Sequence, residues 1–339
     1  MSENPIKKVI YDSLFKGNPD YDKIKTQKTK WKNQTSEWSK SLNYQKGDNL
    51  EKIVKEAFEI EDDLDFSRCF IEATSGDGNE AEKICTLHSS SLLALLCFYG
   101  INKKEIEIGN DVYTECHFEV KNNVINPKLG NPSNVDIMLV SRTPDKKVHK
   151  LLFLESKFTE YLSGGCAALS KDKYSSFYEN FLKDHDFGFK TGEKKVKHKD
   201  GTVSEEFCLY QEGRTTAYLG GIKQAISHLL GIATGPVCGQ SFSKQDYCED
   251  YCEMFKQASV IEFATIIHDI DDKKANAYKE LYRKVLNDQE HLKECLRKAV
   301  APQDPDPISK LIINPEILTY KQVFSKSELP QRVKSLYKI

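Results

Sequence analysis

The period of apolar and polar positions changes several times along the chain, and each change marks an element. LEKIVKEAFEI (50–60) sets Leu50, Ile53, Val54, Ala57 and Phe58 on one stripe of a helix. SLLALLCFYG (91–100) is apolar almost all round, with Ser89 or Ser90 as a cap and Gly100 as a stop, which predicts a central buried helix. YTECHFEV (113–120) alternates in the manner of a strand. NVDIMLV (134–140) follows the turn-forming KLGNPS and reads as a second strand. KLLFLESKF (150–158) is nearly continuous in apolar residues, as a strand covered on both faces would be. AYLGGIKQAISHLLGI (217–232) is helical, SVIEFATIIHD (259–269) is another buried strand, and 274–298 reads as one long helix. Helix, three strands, helix, strand is the signature of an α/β core with mixed strand pairing.

Two stretches fall outside this core. Residues 1–48 are polar and Lys-rich, with Trp31 and Trp38 among the lysines. They read as a helical arm whose tryptophans dock on the main body, or as a phosphate-contacting segment that stacks on bases. Residues 166–206 read as an insertion into the domain 49–339. It holds an aromatic helix (YSSFYENFL) and a hairpin turning at Asp200–Gly201. Lys194, Lys195, Lys197 and Lys199 make that hairpin either a clamp on a nucleic-acid backbone or an exposed edge that discourages aggregation.

Composition narrows the class. A chain of 339 residues with 29% charged and 10% aromatic residues can bury a large core. A net charge of −2 gives no global attraction to nucleic acid, so any such binding must be local. The first residues lack an apolar signal region and the longest apolar run is too short to span a bilayer, which predicts a cytoplasmic protein without a membrane partner. The ten cysteines form no CxxC pair; Cys248 and Cys252 have helical spacing without matching ligands. Reduced thiols, not zinc, are expected.

The candidate chemistry lies in the hairpin of the second and third core strands. Its turn, RTPDKK (142–147), has Pro144–Asp145 at the middle. A turn centred between Asp145 and Lys146 sets Asp136 opposite Glu155, and alternation aims Lys157 to the same side as Glu155. Two carboxylates held that close require a proton or a cation between them. Oxygen ligands with open positions suit Mg²⁺ or Mn²⁺, with the Ser156 carbonyl as a further oxygen, and Lys157 would face the attacking water or the scissile phosphate. That is the equipment of metal-assisted phosphodiester hydrolysis; an Asp–Lys salt bridge at a sheet edge is the plainer alternative.

The string NPSNVD ending at Asp136, followed by FLESK with Glu155, Ser156 and Lys157, resembles the PD-(D/E)xK nuclease superfamily, the restriction-endonuclease-like fold. LESKFTEYL and HSSSLLAL together resemble a bacterial group of candidate restriction endonucleases within it, over about residues 80–235. Val135, not proline, precedes Asp136. The resemblance implies a helix, an antiparallel three-stranded meander, a second helix and a parallel fourth strand. It implies Asp136 and Glu155 as metal ligands, Lys157 as the catalytic lysine, and a third acid from Glu119, Glu80 or Glu82, of which Glu119 is preferred. It also implies a glutamine on the second helix, for which Gln224 stands, with His228 one turn later as a weaker candidate base. The expected function is a Mg²⁺-dependent endonuclease acting on double-stranded DNA in defence; cleavage of both strands would suggest a homodimer with paired sites. An RNA or single-strand nuclease on the same scaffold, and a non-catalytic nucleic-acid-binding module, are the alternatives.

Overall fold

The computed structural model describes residues 5–31, 34–61, 63–75, 83–123, 132–162, 165–183, 185–197, 201–213, 217–238, 251–302 and 306–339. Glu80, Glu82, Lys199 and Cys248, and the side chains of Trp31 and Trp38, lie outside the described residues.

The chain opens with helices α1 (Pro5–Phe15) and α2 (Pro19–Lys23), then strands β1 (Thr26–Trp31) and β2 (Gln34–Leu42), which pair as an antiparallel hairpin. The helical arm expected over this region is therefore half hairpin. Lysines dominate 26–42, but TQKTK and QTSEWSKSL carry no helical stripe, and their β-branched and aromatic residues suit a strand ladder. Nor is the segment detached: Ile10, Tyr11, Leu14, Phe15, Ile24 and Leu42 are buried in the main core, and Phe15 meets Tyr337 edge-on at 5.9 Å.

Helices α3 (Leu50–Phe58), α4 (Leu64–Ala73) and α5 (Ser90–Phe98) follow. The α5 cap is Ser89, whose hydroxyl accepts from the Leu92 amide at 3.4 Å, and Leu92 to Phe98 are all buried. A small hairpin, β3 (Ile106–Ile108) and β4 (Asp111–Tyr113), leads into the central sheet. Strands β5 (Glu115–Asn122), β6 (Ser133–Arg142) and β7 (Val148–Lys157) form an antiparallel meander. The insertion carries β8 (Ala167–Ala168), α6 (Lys171–Leu182), β9 (Lys190–Lys197) and β10 (Val203–Tyr210), with its own three-stranded sheet. Helices α7 (Leu219–Thr234) and α8 (Tyr251–Gln257) return the chain to β11 (Val260–Ile267), which runs parallel to β7. Helices α9 (Lys273–Leu286) and α10 (Gln289–Ala299) then precede β12 (Leu311–Ile313), β13 (Leu318–Thr319), α11 (Tyr320–Val323) and α12 (Gln331–Tyr337).

The central sheet has the order β12–β11–β7–β6–β5, with β13 also on β11. It is a mixed sheet flanked by helices on both faces. Ser156 bonds to Ser90 of α5 and to Tyr320 on one face, while its neighbour Glu155 meets α7 on the other. The long helix expected over 274–298 is two helices. Asp288 breaks it by accepting the His291 amide at 3.1 Å and so capping α10.

A glycine sets how closely α7 approaches α9. A Cβ on Gly221 would stand 2.5 Å from the Tyr278 hydroxyl and 2.8 Å from its ring, and Tyr278 is fully buried. Gly221→Ala is expected to lower stability by about 1–3 kcal/mol in denaturant unfolding, although alanine favours helices by about 1 kcal/mol. A midpoint at or above the parent's would mean that α7 and α9 do not make this contact.

One expectation about cysteine is corrected. Cys238 and Cys252 form a disulfide where reduced thiols were expected; the chain leaves α7 and comes back to α8 with their Cα atoms 5.4 Å apart. Of the hairpin lysines, the side chain of Lys197 and all of Lys199 lie outside the described residues, and Lys194 and Lys195 face acids across the ladder. Lys194 stands opposite Glu206 and Lys195 opposite Glu205, while Lys190 pairs with Glu212 at 2.7 Å and Lys171 with Glu193 at 3.0 Å. Cross-strand acids balance the positive charge that a phosphate backbone would need. Among the described residues, no helix is long and apolar enough to cross a membrane.

Candidate active site

The β6–β7 hairpin fixes the site. Its rungs run from Ser141↔Lys150 to Ile137↔Leu154, and the next step sets Asp136 against Glu155. A bulge at Ser141/Arg142 and a turn closed by Thr143 and Lys147 absorb the mismatch at the far end, leaving the register toward Asp136 unshifted. On its other side Glu155 neighbours Thr265 of β11.

Glu155 lies at the centre of a buried cluster. Its Oε1 accepts from the Lys157 ammonium, and its Oε2 lies 2.7 Å from Nε2 of His228 on α7. Nδ1 of His228 is 2.8 Å from the Ser133 hydroxyl at the start of β6. Glu155, Lys157 and His228 are 3%, 5% and 6% exposed, whereas Asp136 is only partly buried, so the site opens on the Asp136 side. Asp136 is held by the Ser156 amide, which donates to Oδ2 at 2.7 Å. Ser156 thus meets the cluster through its N–H, and its side chain serves the opposite face of the sheet.

The electrostatics follow from this packing. Burial alone would push the Glu155 carboxyl up, but the Lys157 ammonium and the His228 ring bring it down to about 2. Burial likewise works against a charged Lys157, and the carboxylates of Glu155 and Asp136 outweigh it and raise its pKa. Asp136 is pushed well above the carboxylate range by burial and then by the Glu155 and Glu119 charges, against the opposing pull of Lys157. The two acids thus oppose each other's charge, and the Lys157 ammonium is the cation that favours the ionised form of both.

Glu119 stands close enough to act on Asp136, and its backbone is unusual. It is in the left-handed region, φ 50°, in the middle of β5, between the rungs Phe118↔Ile137 and Val120↔Val135. A glutamate held there costs about 1–3 kcal/mol, and such strain gathers at sites that need a particular side-chain aim. Gln224, half-buried one turn before His228, has no contact with the acid pair among those described. The second helix thus reaches Glu155 through His228. The signal for this was a titratable ring in an apolar stretch, between Ile226 and Leu229.

Donor type and charge fit a hard divalent cation: two carboxylates at one strand end, one of them partly exposed. Among the described residues, no three or more His, Cys, Asp or Glu side chains are already gathered as a metal cage. A cation here would be bound by few protein ligands and complete its shell with water, which is the habit of Mg²⁺.

Comparison with family models, with curated proteins and with solved structures finds no match. The functional reading therefore rests on the geometry and on the motif.

Proposed function

We propose that this protein is a metal-dependent nuclease of the PD-(D/E)xK type that hydrolyses DNA phosphodiester bonds. The observation that carries the reading is the convergence of Asp136, Glu155 and Lys157 at one end of the β6–β7 hairpin. The order of elements supports it: α5, the meander β5–β6–β7, α7, then β11 parallel to β7. Double-stranded DNA as substrate follows from the motif's resemblance to restriction endonucleases.

Asp136 and Glu155 would hold Mg²⁺ or Mn²⁺. A bound cation supplies charge neutralisation at the phosphate and an activated water. The chain's own residues do the rest. Lys157, kept protonated by the two carboxylates, supplies a fixed positive charge beside Glu155, near where charge would develop on phosphorus. The Ser156 amide fixes one oxygen of Asp136 by donating to its Oδ2. The burial of Glu155 and Lys157 keeps water from screening them.

The test supplies supercoiled plasmid, linear duplex, single-stranded DNA and RNA side by side, with Mg²⁺, Mn²⁺, Ca²⁺ or chelator. Duplex cleavage is expected with Mg²⁺ or Mn²⁺ and none with chelator. Asp136→Asn is expected to lower the rate at least about 100-fold, because an amide cannot replace a carboxylate toward the cation. Cleavage of RNA alone would change the substrate. Absence of cleavage on all four, or an undiminished Asp136→Asn variant, would end the nuclease reading.

A further inference from the structure

We propose that the hydroxyls of Thr265, Tyr278 and Tyr282 hold ordered water behind Glu155, and that Thr265 and Tyr282 are positioning residues that set the aim of the Glu155 carboxylate. The role in cleavage rests on the nuclease reading above, whereas the water site stands on the packing alone.

Thr265 is the rung neighbour of Glu155 on β11, and side chains paired across a ladder point to the same face of the sheet. Phe263, two residues earlier on that face, has its ring centroid 6.0 Å from that of His228, so this is the face that α7 covers. Helix α9 packs there as well. Tyr278 meets Gly221 of α7, and Tyr282, one turn later, comes close enough to the Thr265 hydroxyl for the two to act on each other. Both tyrosines feel the charge of Glu155, and Tyr278 also that of Lys157. Three hydroxyls from a strand and a helix thus gather behind the acid–lysine pair.

Packing does not ask for these hydroxyls. The three residues are at most 1% exposed, and valine and phenylalanine would fill nearly the same space without a polar atom. None of the three hydroxyls makes a hydrogen bond of good geometry to another described group. Buried hydroxyls left so are costly, and ordered water, which makes about three hydrogen bonds to such groups, is their usual partner. Glu155 supplies an acceptor: Lys157 takes Oε1 and His228 stands at Oε2, but each carboxylate oxygen accepts more than one donor. Asp136 flanks Glu155 from β6 and Thr265 flanks it from β11, so the water restrains the carboxylate from the side opposite its partner acid. Losing an outer partner that orients a ligating group typically costs about 10–100-fold in metal affinity or activity.

The experiment joins crystal structures of the full chain and of its Thr265→Val variant to cleavage kinetics of Thr265→Val, Thr265→Ser and Tyr282→Phe. The parent is expected to show an ordered water within about 3 Å of the Thr265 hydroxyl, of a tyrosine hydroxyl and of the Glu155 carboxylate, and Thr265→Val to lose it. Thr265→Val and Tyr282→Phe should each lower kcat about tenfold at unchanged KM, with urea midpoints no lower than the parent's, and Thr265→Ser should keep the parent's kcat. A parent without that water would overturn the inference whether or not it cuts DNA. Water present with kcat unchanged in both variants, or a loss that Thr265→Ser shares, would overturn the positioning role. A parent that holds the water but cuts no substrate would end the nuclease reading and the positioning role with it, and leave the water site standing.

Discussion

Lys157→Ala is expected to reduce metal-dependent cleavage by a factor of about 10³ or more while leaving nucleic-acid binding in place. Removing one fixed charge from the position where charge develops costs a few kcal/mol of transition-state stabilisation, or about 10²–10³ in rate. Here the loss is compounded, because Lys157 also occupies Oε1 of Glu155 and holds that carboxyl at about 2. Without the ammonium, a 3% exposed carboxylate keeps only His228 beside it, with Asp136 and Glu119 adding negative charge nearby. Breaking a buried ion pair from one side typically costs about 3–5 kcal/mol of stability. The variant should therefore unfold at lower denaturant, and saturating Mg²⁺ or Mn²⁺ should recover part of the loss, since a cation bound only by the folded state stabilises it. Cleavage is followed on plasmid and stability by urea unfolding with and without metal. An active variant would remove Lys157 from the mechanism. A destabilised variant that metal does not rescue would mean that the pair is structural.

The sequence made the strand pairing legible because the constraint is local. Pro144–Asp145 marks the turn, the apolar runs on either side mark the strands, and the observed rungs, continued one step past Ile137↔Leu154, bring Asp136 level with Glu155. What decided the second helix was not local. Periodicity put Gln224 and His228 on one face of α7, but only the packing of Gly221 on Tyr278 and of Gly231 on Ser133 determines which of them meets the sheet. The hairpin at 26–42 was hidden by its lysines, since a polar strand lacks the apolar alternation that announces one. The left-handed backbone of Glu119 had no signal either, because glycine or asparagine is the usual marker of that region. The Cys238–Cys252 bridge depends on where the chain comes back after α7, which spacing alone does not determine.

The strand that carries Lys157 carries a second buried lysine, and it supplies the sharpest control. Lys150, at the start of β7, is 8% exposed, with Nζ 2.7 Å from Asp111 and paired also with Glu262. Burial disfavours its charge, and the hydrogen bonds to Asp111 and Glu262 outweigh burial and raise its pKa. Lys150→Met is expected to cost about 3–5 kcal/mol, because Asp111 and Glu262 lose their common counter-charge. Adding Asp111→Asn and Glu262→Gln to it should recover much of that loss, since uncharged groups need no partner. Seven residues of strand put Lys150 about 23 Å from Lys157, and the odd spacing turns the two side chains to opposite faces. Cleavage per folded molecule should therefore be unchanged in Lys150→Met, measured at a urea concentration where the variant is native. The two lysines share a strand and a buried setting, and each faces two acids of its own, yet one substitution should remove the fold's margin and the other the chemistry. Loss of cleavage in a folded Lys150→Met variant would place the active site at the wrong end of β7.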